Sequence, residues 1–131
     1  MKRRSMTVGI LAALTLAAPT LAQDEADQYS AIAYSTTTHA VGYAYDAKTQ
    51  DEAERAALVR CAEHADDCQA LNWAQNACSA LAIDSGGSGG WGAAWGDTYR
   101  EAAINAHDTC LEYNSDCQVY AWVCNSAATP E

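Results

Sequence analysis

The chain has 131 residues, with 17 Asp and Glu against seven Lys and Arg, for a formal net charge of −10. That balance argues against a nucleic-acid-binding surface and against an anionic-membrane surface, both of which need the opposite sign. Six cysteines in so short a chain point to a small domain that gains from covalent staples.

Lys2, Arg3 and Arg4 precede an apolar run from Val8 to Ala18, and Thr20-Leu21-Ala22 ends in small residues. This is the layout of a secretory signal peptide over 1–22. The run is shorter than the roughly 20 apolar residues of a membrane span. Arg3-Arg4 alone does not define a twin-arginine signal. The first cysteine is Cys61, so no lipid-anchoring cysteine follows the cleavage point and no membrane anchor is expected. The expected location is the periplasm or the medium. All 17 acidic residues lie beyond Ala22, with only Lys48, Arg55, Arg60 and Arg100 as basic residues, so the mature charge is 4 − 17 = −13. Solubility explains such acidity, and attraction to a basic partner is the functional reading.

After a lead over 23–28, expected to be disordered, two short segments rich in β-branched and aromatic residues follow: AIAY (Ala31–Tyr34) and AVGYAY (Ala40–Tyr45). They read as strands joined by the hairpin loop Ser35–His39. Thr49 with Glu52 forms a Thr-x-x-Glu capping box, so a helix begins there. Ala53, Ala57 and Cys61 put one small-residue stripe on it. CAEHADDCQALNW (Cys61–Trp73) then closes the helix, turns at Asp66-Asp67 and opens another strand.

The second half repeats this order. ALAI (Ala80–Ile83), a Ser/Gly loop (Ser85–Gly90, expected to be flexible) and GWGAAW (Gly90–Trp95) precede a second box at Thr98 and Glu101. Ala102, Ala106 and Cys110 form the matching stripe, and CLEYNSDCQVYAW (Cys110–Trp122) echoes the first C-x6-C-Q-x3-W at an offset of 110 − 61 = 49 residues. An internal repeat of this kind marks two copies of one structural unit. The predicted fold is α+β, with tandem ββαβ repeats over 29–77 and 78–126. Together they form one antiparallel or mixed sheet with two helices on one face and a pseudo-twofold between the halves. Residues 29–126 are expected to be a single domain, and 127–131 a disordered tail. Trp73 and Trp122 share a repeat position, which argues for core packing; an exposed aromatic platform is the alternative.

The order of these strands, Ala-rich helices and cysteines (Cys61, Cys68, Cys78, Cys110, Cys117, Cys124), with Ala80-Leu81-Ala82 after the third cysteine, resembles the bacterial secreted family known as domain of unknown function 4189. The resemblance spans about Tyr29 to Asn125. It implies a small exported domain and carries no activity and no catalytic residues.

Cys61, His64 and Cys68 also spell three of the four ligands of a structural zinc site. In the second copy the cysteines remain but His64 becomes Tyr113, which favours disulfides, as does an exported compartment. Two local pairs, 61–68 and 110–117, leave Cys78 to pair with Cys124. No metal and no cofactor are expected.

Gly86-Gly87-Ser88-Gly89-Gly90 matches G-x-S-x-G literally, but a nucleophile elbow stands between a strand and a helix, and this run falls between two strands. With every cysteine oxidised there is no thiol nucleophile. Asp46, Asp51, Glu52, Asp66 and Asp67 supply candidate carboxylate pairs, as any acidic chain would. His39, His64 and His107 lack counterparts in the other copy. The reading is a non-catalytic exported module of protein-binding or inhibitor type, acting on a protein partner as a monomer or weak dimer. Its candidate surface is His64, Asp66, Asp67, Trp91 and Trp95. A small hydrolase of envelope polymer and a structural or stress-related envelope component are the alternatives.

Overall fold

The computed structural model describes residues 26–131, together with residues 13 and 15. The expected signal peptide, its cleavage point and residues 23–25 of the lead otherwise lie outside the described residues. The elements are β1 (Tyr29–Tyr34), β2 (Val41–Ala47), α1 (Gln50–Ala62), β3 (Gln69–Gln75), β4 (Cys78–Asp84), β5 (Trp91–Gly96), α2 (Tyr99–Leu111) and β6 (Cys117–Cys124). Among the described residues no helix is long and apolar enough to cross a membrane.

Both helices start at their threonines. The hydroxyls of Thr49 and Thr98 accept the N–H of Glu52 and Glu101, each at 3.1 Å. The glutamates reach back one residue further than a capping box requires, to the N–H of Lys48 at 3.4 Å and of Asp97 at 3.3 Å.

The class is α+β, but the single sheet is corrected. There are two three-stranded antiparallel sheets, ordered β2-β1-β3 and β5-β4-β6. The reason lies in the central strands. In β1, Ala31 and Ala33 pack with Ala53, Ala57 and Cys61 of α1. Successive side chains point to opposite faces, so Ile32 and Tyr34 lie on the far side, where they join Leu81 of β4 and Val123 of β6. In β4, Ala80 and Ala82 likewise face α2. A sheet with large apolar residues on the face away from its helix must cover that face. The two sheets cover each other, and the helices take the outer faces. Full burial of Ile32 and Leu81 contributes roughly 1.5–3 kcal/mol each.

The helix–sheet contacts are close enough to require glycine. A Cβ on Gly42 of β2 would overlap the carbonyl oxygen of Ala57 and the nitrogen of Cys61; one on Gly92 of β5 would overlap the nitrogen of Cys110. The small-residue stripes on both helices serve this close approach.

With a core of alanines, most aromatic rings lie outside it. Eight of the 11 Tyr and Trp side chains are exposed. Core packing of Trp73 and Trp122 is therefore corrected: they are 40% and 53% exposed. Both stand on edge strands, with nothing beyond to bury their outer flanks. Each leans on a tyrosine, Trp73 on Tyr29 at 6.2 Å and Trp122 on Tyr99 at 4.9 Å between ring centroids.

Three disulfides join Cys61–Cys68, Cys78–Cys124 and Cys110–Cys117, and no cysteine is free. The two local bridges span Cα separations of 6.0 and 6.1 Å across a helix end and the next strand. Cys78 and Cys124 stand opposite each other on β4 and β6. In the chain-entropy picture the local bonds contribute about 2.5 kcal/mol each and the long one about 4. Residues 127–131, expected as a disordered tail, return against the fold: the N–H of Ala127 meets the Gln28 side chain at 2.7 Å and that of Thr129 the Asp97 carbonyl at 3.0 Å. Ala128 packs on the second-half core.

Candidate functional site

Each half turns its strand–strand loop and its helix–strand turn to the same end of its sheet, and the stacking brings these ends together. In the first half, Asp67 in the turn after α1 accepts hydroxyl hydrogen bonds from Ser35 and, at 2.7 Å, from Thr37 of the β1–β2 loop. Ser35 is fully buried and also accepts the N–H of Thr38 at 3.1 Å. In the second half, the Ser85 N–H donates to the Asp116 carbonyl at 2.8 Å. Ser88 donates to Asp84 and stands 3.0 Å from the Asn114 side chain. The Ser85–Gly90 loop, expected to be flexible, is thus tied to the turn after α2.

Between the two loops lies a cleft of about 480 Å³, lined by Thr36, His39, Ile83, Asp84, Ser85 and Tyr120 together with Gly87 and Gly89. His39 closes one side in the left-handed region, φ 62°. Two tyrosines from different halves hold it: the Tyr34 hydroxyl is 2.7 Å from its Nδ1, and the Tyr120 hydroxyl donates to its carbonyl at 2.9 Å. Burial, with Tyr120 nearby, raises the pKa of Tyr34, so its hydroxyl keeps its proton and, as a phenol, can either donate to or accept from Nδ1.

The charge at this end has one sign. Segments 35–40, 63–68, 84–90 and 112–116 hold Glu63, Asp66, Asp67, Asp84, Glu112 and Asp116 and no Lys or Arg. The Ser35 hydroxyl, then that of Thr37, holds Asp67 below the usual carboxylate range. The Ser88 hydroxyl and the Gly86 N–H do the same for Asp84. Both are anionic at neutral pH.

The residues expected to form one surface are divided. His64, Asp66 and Asp67 are exposed in the turn after α1. Trp91, opposite Ile83, opens β5 near the cleft, whereas Trp95, opposite Ser79, lies toward the far end of that strand. The other carboxylate candidates are occupied elsewhere: Asp51 pairs with Arg55 at 2.8 Å, and Asp46 accepts the Ser126 N–H at 2.7 Å. The G-x-S-x-G run lies in the β4–β5 loop, away from any strand-to-helix turn. Among the described residues no group of three or more His, Cys, Asp or Glu is arranged to hold a metal. The set that sequence reasoning missed is Tyr34, His39 and Tyr120. Its signal is asymmetry: at the repeat offset Tyr34 answers to Ile83 and Tyr120 to Leu71.

A family model described as a domain of unknown function (DUF4189) matches residues 29–124. No curated protein matches the chain. Among solved structures, the NMR structure of Rv1813c from Mycobacterium tuberculosis is similar, with a TM-score of 0.51 and 24% identity over 95% of each chain. At that identity the likeness concerns the fold alone.

Proposed function

The chain belongs to the DUF4189 family, and since that membership brings no activity, we propose from the geometry that it is an exported, non-catalytic module that binds a basic protein through its loop end. The observation that carries this reading is that the loops and turns at this end hold six carboxylates and no Lys or Arg, with Asp84 lining the His39–Tyr120 cleft itself. A single-signed end raises the encounter rate with an opposite charge, and a cleft floored by Ile83 and Tyr120 gives the partner apolar surface to bury. The loops are pinned by Ser35, Asp67 and Ser88, so little ordering is lost on binding. Export is supported by the basic, then apolar, N-terminus and by three disulfides, which persist in oxidising compartments.

The test uses the oxidised mature chain as bait in envelope extracts, beside a Glu63→Gln/Asp66→Asn/Glu112→Gln variant. The reading expects a basic protein retained by the native chain and lost by the variant. Failure to retain any protein, with fragments released from cell-wall polymer instead, would replace it with the hydrolase reading.

A further inference from the structure

A second cleft, of about 410 Å³, lies along edge strand β3 and is lined by Asn72, Trp73, Ala74, Gln75, Asn76 and Trp95. Trp73 is 40% exposed and Trp95 54%. Among the described residues no charged side chain lines it, in a chain with 17 carboxylates. Its polar groups are amides. Asn72 donates its nitrogen to Ser79 at 3.0 Å, which leaves its carbonyl oxygen as an acceptor. Gln75 makes no side-chain hydrogen bond among the described residues and keeps both donor and acceptor. Asn76 is occupied by Gln28 and Asp27 and shapes the cleft without reading a ligand.

The corresponding place on the other edge lacks this chemistry. At the repeat offset Asn72 becomes Ala121 and Gln75 becomes Cys124, which is bonded to Cys78. Trp73 becomes Trp122, and Tyr45 takes the place of Trp95 with the one-residue slip of that segment. The aromatic walls recur, but the free amides do not. The amide-bearing cleft, which joins β3 of the first half to Trp95 of the second, has its full set of groups at one of the two equivalent edges only.

Broad apolar indole faces beside uncharged amide donors and acceptors suit a pyranose ring, whose C–H face stacks while its hydroxyls hydrogen-bond. An anionic sugar would be opposed by the net charge of the chain. An extended peptide added to β3 would need free backbone groups along the strand, and the Ala74 carbonyl is already taken by Asn125 at 3.2 Å. We infer that the Trp73–Trp95 cleft binds a neutral oligosaccharide, with the indoles as stacking walls and the Asn72 and Gln75 amides as hydroxyl readers. This does not rest on the loop-end reading, since the two clefts share no residue.

The test is NMR of the oxidised chain titrated with N-acetylglucosamine tetramer and, separately, with a glucose tetramer, following the four indole N–H signals assigned through single Trp→Phe variants. The expected result is saturable shifts of Trp73 and Trp95 with at least one sugar, while Trp122 stays still. Removing one stacking wall by Trp95→Ala weakens binding about tenfold, Gln75→Ala also weakens it, and Trp122→Ala leaves it unchanged. No shift with either sugar up to about 10 mM, equal shifts at Trp122, or saturation only with an uncharged extended peptide would each overturn the inference.

Discussion

Asn72 donates its side-chain amide to the hydroxyl of Ser79 at 3.0 Å between the two sheets, and the matching residue of the first half, Ser30, has no partner among the described residues. Both serines are fully buried, and the Ser30 hydroxyl makes no hydrogen bond among the described residues. Its counterpart to Asn72 is Ala121. A buried unsatisfied hydroxyl carries a desolvation cost that a paired one offsets. Ser79→Ala is therefore expected to destabilise the oxidised protein by about 1 kcal/mol or more, since it strands the Asn72 amide, whereas Ser30→Ala is neutral or stabilising. Urea unfolding of both variants checks this; equal losses would contradict it.

Gly42 and Gly92 are expected to tolerate no side chain. The atoms a Cβ would meet are helix backbone, which cannot rotate away. Gly42→Ala and Gly92→Ala should each cost roughly 3 kcal/mol or more by prising a helix from its sheet. Gly87→Ala makes a useful comparison: its Cβ would meet nothing within 4 Å, so its cost is only that of a left-handed backbone, about 1 kcal/mol. Thermal unfolding ranks the three.

Asn125 holds the halves together at the end opposite the loops. Its side chain is 2% exposed. It accepts the Asp46 N–H at 3.0 Å and donates to the carbonyls of Ala74 and Ala77 at 3.2 Å each. Asn125→Ala leaves these groups unpaired and is expected to cost about 2–4 kcal/mol. Asn125→Asp should cost at least as much, because it turns a donor into an acceptor facing two carbonyls. Equilibrium denaturation measures both; a loss under about 0.5 kcal/mol would contradict the clamp.

The pH dependence follows from Asp67 and Asp84. Their pKa values are lowered from 3.8, chiefly by the Ser35 and Ser88 hydroxyls. A depressed carboxylate favours the folded state above its ordinary pKa, and this contribution is lost as pH falls through the folded value. The loop end should therefore loosen on acidification below about pH 4. In an Asp67→Asn/Asp84→Asn variant, the unfolding midpoint should change less across that window. An unaltered acid profile in the variant would contradict the assignment.

The order of strands and helices was legible because each signal is local: a threonine cap, a small-residue stripe, a turn before a cysteine. The pairing of Cys78 with Cys124 was legible by elimination once two repeated local bonds were drawn. The division into two sheets was not, because strand neighbours are no local property. Its only trace is the alternation of Ala31 and Ala33 with Ile32 and Tyr34, which serves two buried faces where one was expected. Trp73 and Trp122 share a place in the repeat, but a shared place does not separate core from rim. The cleft depends on Tyr120 reaching His39, 81 residues away in sequence, and only the mismatch of these positions with their repeat partners hinted at it.

The most direct test of the loop-end account is the salt dependence of the complex between the oxidised chain and the protein it retains from envelope extracts. If the six carboxylates of the loop end steer and hold a basic partner, affinity falls steadily as salt rises from low ionic strength, where surface charges are least screened. The Glu63→Gln/Asp66→Asn/Glu112→Gln variant then binds about tenfold more weakly and with a shallower salt slope. Affinity that is indifferent to salt and to these substitutions would contradict the account.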